Sequence, residues 1–246
     1  MAREIRKDRI YSLEDPKSVV SEAFRSLRTN IQYANIDKNI KAILLTSTIQ
    51  REGKSMVSSN LAYSMAESGK KTLIIDCDMR KPRIHKVFSI SNIEGLTNIL
   101  MDEAINSEVI HKMAGSENLY ILPSGPIPPN PAELLGSNKM KDFIGKLRET
   151  FDMVIIDSPP LALVTDAAII STIVDGTILI VEAGDTKIDA AKHSKEVLDK
   201  LGSKILGVVL NKIPLNENEY YQYYQYRQYR EEQDSRLWKR KRRKWR

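Results

Sequence analysis

Five polar residues close three separate apolar runs in this chain, and their types suit phosphate chemistry. Lys54 and Ser55 follow "KAILLTS" at 41–47 through the loop "TIQREG". Asp76 ends "KTLIID" with Asp78 just beyond it in "DCDMRKP", and Asp157 ends "DMVIID" ahead of "SPP". An ammonium can neutralise the β and γ phosphates of a nucleotide, and a hydroxyl and carboxylates are the hard donors that magnesium takes. A carboxylate can also accept a proton. Amides of a loop that opens a helix complete an anion cradle, because first-turn N–H groups lack partners inside the helix. Gly53-Lys54-Ser55 alone also fits an ordinary strand-to-helix turn, and the strict G-x-x-x-x-G-K-[ST] pattern fails, with Thr48 at its first glycine. Asp76 and Asp78, two positions apart, lie on one side of an extended segment, with Arg80 two residues further on. Any one of these acids could be a solvated strand end. Three strand ends meeting at one phosphate site are hard to explain as structure alone.

Those groups meet only if the runs lie side by side in one sheet. "LYILPSG" at 119–125, "GTILIVE" at 176–182 and "ILGVVLN" at 205–211 also read as buried strands, and 54–68, 131–150 and 186–201 have helical spacing. The repeated βα order predicts an α/β fold, a mostly parallel sheet flanked by helices, with ligands at the carboxyl ends of the strands. "PKSVVSEAFRSLRTNIQYAN" adds a helix ahead of the first strand. The expected organisation is an N-terminal arm at 1–16, a catalytic domain at 17–214 and a flexible tail at 215–246, without internal repeats.

Composition narrows the partners. At 246 residues, 41% hydrophobic and 28% charged, the chain suits one large soluble domain. No run reaches the eighteen apolar residues of a membrane span and the N-terminus has no apolar signal core, so a cytoplasmic chain is expected. A single cysteine, Cys77, and three scattered histidines weigh against a disulfide or a zinc site. The net charge of +6 is local in origin, since "RLWKRKRRKWR" carries eight cations and no acid; without it the body is near neutral at −2. A nucleic-acid binder is not expected. The tail is a candidate for anionic membrane, with Trp238 and Trp245 suited to the interface, or is simply a solvated charge run.

Six of the ten tyrosines, Tyr220, Tyr221, Tyr223, Tyr224, Tyr226 and Tyr229, crowd into "YYQYYQYRQYR". Interleaved Gln and Arg with no aliphatic residue fit neither a core nor a coiled segment. From Pro214 to Tyr229 an extended chain reaches roughly 50 Å. A tyrosine hydroxyl, with a pKa near 10, needs a carboxylate to take its proton during phosphoryl transfer. Asp76 is the candidate base, with Asp78 assisting or binding metal.

Taken together, "EAFRSLRTN" at 22–30, "REGKS" at 51–55, "LIIDCDMRKPRIH" at 73–85, "MVIIDSPP" at 153–160 and the tyrosine cluster resemble the bacterial tyrosine kinases of capsule and exopolysaccharide synthesis, the CpsD/CapB family. The resemblance implies the P-loop NTPase fold of MinD and ParA, with ATP and Mg²⁺ as cofactors. It implies nucleotide contacts at Arg51, Glu52, Gly53, Lys54, Ser55 and Met56, with Asn211 beside the adenine. Catalysis would fall to Lys54, Asp76 and Asp78, and the metal to Ser55, Asp78 and Asp157. Glu22, Arg25 and Arg28, spaced to share a helical face, would join subunits into a ring; alone they also fit a solvated face with intrahelical pairs. The family further implies a membrane-embedded co-polymerase that activates the kinase and holds it at the inner face of the cell membrane, and a phosphotyrosine phosphatase. Gln50 and Arg51 stand where members often have Pro-Gly, so a positive φ at 51 is not expected, and Arg51 either touches phosphate or crowds it. Met56 replaces a common threonine, and Ile49 stands where MinD and ParA carry an extra lysine. A MinD-like or ParA-like ATPase that positions a partner, marked by hydrolysis without tail phosphorylation, and a noncatalytic scaffold, marked by binding without turnover, are the competing readings.

Overall fold

A computed structural model describes residues 9–34, 40–102 and 108–214. The chain divides into two units, Met1–Lys212 and Ile213–Arg246. The tail tyrosines and the basic terminus lie outside the described residues.

Five of the six apolar runs form strands buried on both faces, which favours continuous rather than alternating hydrophobicity; the run at 205–211, expected as a buried strand, instead lies at the sheet edge with none of its residues buried. The six strands are β1 (Ala42–Ser47), β2 (Thr72–Asp76), β4 (Leu119–Leu122), β5 (Met153–Asp157), β6 (Gly176–Glu182) and β7 (Ile205–Asn211), all mutually parallel where they pair. A two-residue strand, β3 (His111–Lys112), pairs antiparallel with β4 at one edge. Two residues carry no periodicity, so this strand leaves no sequence signal. The order β3-β4-β2-β5-β1-β6-β7 puts β2, β5 and β1 side by side at the centre. Asp76 and Asp157 are register partners across β2 and β5, and Leu45 of β1 faces Asp157 from the other side. This adjacency draws the strand-end groups together.

Alternate residues of β1, β2, β4 and β5 enter two separate cores. Ile43, Leu45, Ile74, Ile155 and Ile180 pack with Phe24 and Ile31 of α2 (Val19–Ala34) and Val57, Leu61 and Met65 of α3 (Lys54–Glu67). Leu44, Leu73, Ile75 and Ile156 face the opposite layer, which includes α5 (Leu96–Met101), α6 (Pro131–Leu135), α7 (Asn138–Thr150) and α8 (Asp166–Ser171). Short helices α1 (Tyr11–Glu14) and α4 (Ile84–Val87) and the longer α9 (Ile188–Lys200) complete the set among the described residues. The helix expected over 131–150 is two helices: Ser137 caps α7, its Oγ accepting from Met140 N at 3.2 Å, and breaks the run. Every residue of α3 from Val57 to Ala66 is buried, since α3 lies between the sheet and α2. No helix among the described residues is long and apolar enough to cross a membrane.

Candidate active site

The loop between β1 and α3 turns through two left-handed residues. Gly53 at φ 86° precedes the helix, and a Cβ there would stand 2.3 Å from Asn211 Nδ2, so only glycine fits. Arg51 also adopts a positive φ, 69°, contrary to the expectation drawn from its lost glycine. Contacts from distant strands impose that conformation. Lys212 Nζ donates to the Arg51 carbonyl at 2.7 Å and pairs with Glu182, while Asn211 Nδ2 donates to the Glu52 carbonyl at 2.8 Å. Glu52 is buried, its carboxylate accepting from Ile49 N at 2.9 Å and from the Thr186 hydroxyl. Thr186 Oγ1 in turn accepts from Glu182 N at 2.8 Å. The loop is thereby tied to the ends of β6 and β7.

Lys54 projects from the first turn of α3 to the carboxylates. Its Nζ lies 2.8 Å from Asp78 Oδ2 and 3.9 Å from Asp157 Oδ2. Ser55 Oγ donates to Asp157 Oδ2 at 2.6 Å, and Ser58 Oγ donates to Asp157 Oδ1 at 3.0 Å. Asp76 is fully buried; its Oδ2 accepts from Arg83 N and Ile84 N, each at 2.9 Å, and its Oδ1 from Asp78 N at 3.1 Å. The segment after β2 therefore wraps the Asp76 carboxylate in backbone amides. Met56 follows in the same helical turn, partly buried against the core.

Burial governs the protonation of these groups. It pushes Asp76 up to about 7, reinforced by the neighbouring Asp157 charge and opposed by the Ile84 and Arg83 amides and by Lys54. Burial likewise raises Asp157, against Lys54 and the Ser55 hydroxyl. Burial works to lower Lys54, yet Asp157, Asp78 and Asp76 outweigh it and hold the ammonium above its ordinary value. Burial, reinforced by the Asp76, Asp157 and Asp78 charges, pushes the Cys77 thiol well up and disfavours the thiolate.

The structure thus brings Lys54, Ser55, Asp78 and Asp157 into direct contact, sets Asp76 beside them and puts Asn211 on the loop. Ser58, Thr186, Glu182 and Asp166 were not identified from sequence. Asp166, fully buried in the first turn of α8, takes Arg80 in two bonds, at 3.0 and 3.1 Å, across 86 positions. The proposed oligomerisation residues have partners within the chain: Arg25 pairs with Glu22 at 2.9 Å, and Arg28 Nη1 donates to the Ser64 carbonyl at 2.7 Å.

The donor set fits magnesium and a nucleotide phosphate. Among the described residues no three His, Cys, Asp or Glu side chains form a metal cage. Magnesium needs none, because it keeps several waters and takes one or two carboxylates together with substrate phosphates. A hydroxyl on a buried carboxylate and a second carboxylate supply oxygen donors for the metal, and the ammonium at the helix N-terminus supplies positive charge for phosphate.

Residues 40–193 match the family model described as AAA domain. Tyrosine-protein kinase YwqD of Bacillus subtilis is 40% identical over 212 residues, which cover 86% of this chain and 89% of that protein. Tyrosine-protein kinase CpsD of Streptococcus agalactiae is 41% identical over 193 residues, covering 78% and 83%. The chain belongs to this family of bacterial protein-tyrosine kinases. Among solved structures, the chimerical protein CapA2B2 superposes with a TM-score of 0.80 at 40% identity, over 84% of the kinase and 90% of that chain. The septum site-determining protein MinD of Pyrococcus horikoshii, complexed with Mg-ADP, gives a TM-score of 0.61 at 26% identity, over 72% of each. The kinase therefore has the P-loop NTPase fold shared with MinD.

Proposed function

We propose that this kinase transfers the γ-phosphoryl group of ATP to Tyr220, Tyr221, Tyr223, Tyr224, Tyr226 and Tyr229 of a second copy, and so regulates synthesis or export of a capsular polysaccharide or exopolysaccharide. The observation that carries the reading is the meeting of Lys54, Ser55, Asp78 and Asp157, with the buried Asp76 alongside, at the opening of α3. Amides of residues 51–56 and the Lys54 ammonium neutralise the triphosphate as charge moves onto the leaving oxygen. Ser55, Asp157 and Asp78 would hold magnesium, which when bound shields the β and γ oxygens. Asp76 accepts the proton of the phenol as its oxygen bonds to the γ phosphorus and the bond to ADP breaks. A carboxylate near 7 is matched to that task at neutral pH.

Arg51 turns its carbonyl to Lys212, which fixes the backbone of the loop. Asn211 borders the adenine side of the site in this reading. A ring through Glu22, Arg25 and Arg28 would exchange their present intrachain bonds for bonds to a neighbour. A membrane-embedded co-polymerase would activate the kinase and hold it at the membrane, and a phosphotyrosine phosphatase would reset it. Each phosphotyrosine adds roughly −1.5 to −2 charges, enough in six copies to counter the eight cations that follow and weaken a hold on anionic lipid.

The test is phosphosite mapping with Mg-ATP and a dephosphorylated Lys54→Met donor. Phosphate on Tyr220 to Tyr229 of the donor with wild-type enzyme, and none with Lys54→Met as enzyme, supports the reading. ATP hydrolysis with an unmodified donor, even with the co-polymerase segment added, refutes it in favour of a MinD-like ATPase.

A further inference from the structure

Among the described residues, three of the four tyrosines are held in the fold and one is not. Tyr63 is buried on α3, Tyr120 meets Phe151 edge-on with ring centroids 5.4 Å apart, and Tyr11 lies under the Arg9 guanidinium at 5.8 Å. Tyr33 is 69% exposed, and among the described residues its hydroxyl has no hydrogen bond. It is the second-last residue of α2, where backbone carbonyls lack partners inside the helix and the end frays most readily. Ile31 before it and Ile40 after it are both buried, so residues 32–34 can unwind into an extended stretch without lifting either anchor from the core. Tyr33 also shares local sequence with the tail. The chain has six glutamines, and four stand immediately before a tyrosine: Gln222, Gln225 and Gln228 before Tyr223, Tyr226 and Tyr229, and Gln32 before Tyr33. None of the three tyrosines held in the fold follows a glutamine.

We propose that Tyr33 is a seventh acceptor of this kinase, phosphorylated by a second copy and recognised through the glutamine that precedes it. The inference rests on the kinase reading above and extends the acceptors from the tail to the folded unit. The phenolic oxygen bonds to the γ phosphorus of ATP, the bond to ADP breaks, and the phenol proton passes to Asp76 of the copy acting as enzyme. The Gln32 amide both donates and accepts, so one side chain suits a pair of hydrogen bonds to backbone at the cleft, and the tail glutamines present the same group. The product places a phosphate on the last turn of α2, at the negative end of the helix dipole, and loosens that turn by like-charge repulsion.

Two measurements on the full-length protein test this. The first maps phosphosites on Lys54→Met donors incubated with wild-type enzyme, Mg-ATP and the co-polymerase segment. One donor keeps its tail and the other has the six tail tyrosines changed to phenylalanine. Phosphate on Tyr33 of both donors, with none on Tyr63 or Tyr120, is expected. Adding Tyr33→Phe should leave the phenylalanine-tailed donor unmodified. Gln32→Met, a helix former of similar length without the amide, should slow modification of Tyr33 roughly two- to tenfold, the net worth of one hydrogen bond. An unmodified Tyr33 on a donor whose tail is phosphorylated overturns the proposal and leaves the kinase reading intact. Phosphate on Tyr63 or Tyr120 at the rate of Tyr33 assigns the modification to unfolded chain and also overturns it. An undiminished rate in Gln32→Met overturns recognition through the glutamine, and a donor modified nowhere refutes the kinase reading and this proposal together. The second measurement follows hydrogen exchange in the phenylalanine-tailed donor before and after modification. Exchange of the amides from Ile31 to Ala34 is expected to quicken roughly two- to fivefold, and unchanged exchange overturns the effect on α2.

Discussion

Arg51 holds a conformation that its side chain disfavours. Left-handed backbone costs an L-residue roughly 1–2 kcal/mol, and glycine would escape that cost at an entropic loss of about 0.5–1 kcal/mol. Arg51→Gly is therefore expected to stabilise the protein by roughly 0.5–1 kcal/mol, read from denaturant midpoints at constant slope; destabilisation would mean that the exposed side chain contributes more than the strain. Asp76 offers a second test. Its native pKa, about 7, lies above the ordinary carboxylate value, so the folded state holds this proton more tightly than the unfolded state. That stabilisation is complete below about pH 4 and is lost as pH rises to about 7. In metal-free protein, the Tm of wild type relative to Asp76→Asn should fall between pH 5 and 8 and level off above. A flat difference would show that the amides of Arg83 and Ile84 keep Asp76 ionised throughout.

The loop before α3 owes its shape to the strands beyond it as much as to its own residues. Glu52 is buried with its carboxylate shared between Ile49 N and Thr186 Oγ1. Thr186→Val deletes that hydroxyl, leaving both the carboxylate and Glu182 N short of a partner. A loss of about 1–3 kcal/mol in stability is expected from the unsatisfied buried groups. Because the same contact orients the phosphate loop, KM for ATP should rise more than kcat falls, and restoration by Thr186→Ser would assign the effect to the hydroxyl. The strands and α3 were legible in the sequence, since each is an unbroken or periodic run bounded by polar groups. The break at Ser137 and the strand at His111–Lys112 were not, because a cap and a two-residue pairing leave no period to read.

For the molecule as a whole, the proposed catalytic groups belong to one unit, Met1–Lys212, and the proposed tail acceptor tyrosines to the other. Phosphorylation in trans, as proposed, would make the initial rate per enzyme depend on donor concentration. At fixed wild-type enzyme, phosphate incorporated into Lys54→Met donor should rise in proportion to donor until saturation. A rate per wild-type molecule independent of dilution, with an unmodified donor, would assign the reaction to a single chain.

The linear order of residues was enough to identify the parallel α/β sheet and the family, and to single out Lys54, Ser55, Asp76, Asp78 and Asp157 as candidates. All of these rest on local patterns: apolar runs, the groups that end them and short motifs. The folded chain alone revealed which groups touch. Glu52 meets Thr186 across 134 positions and Asn211 across 159, and Arg80 finds Asp166 across 86. It also set the left-handed Arg51 against the local preference of that residue. Pairings between separate elements carry no spacing rule; they exist because the strand order brings β6 and β7 to the side of β1 where the loop emerges, and burial then makes each polar group find a partner.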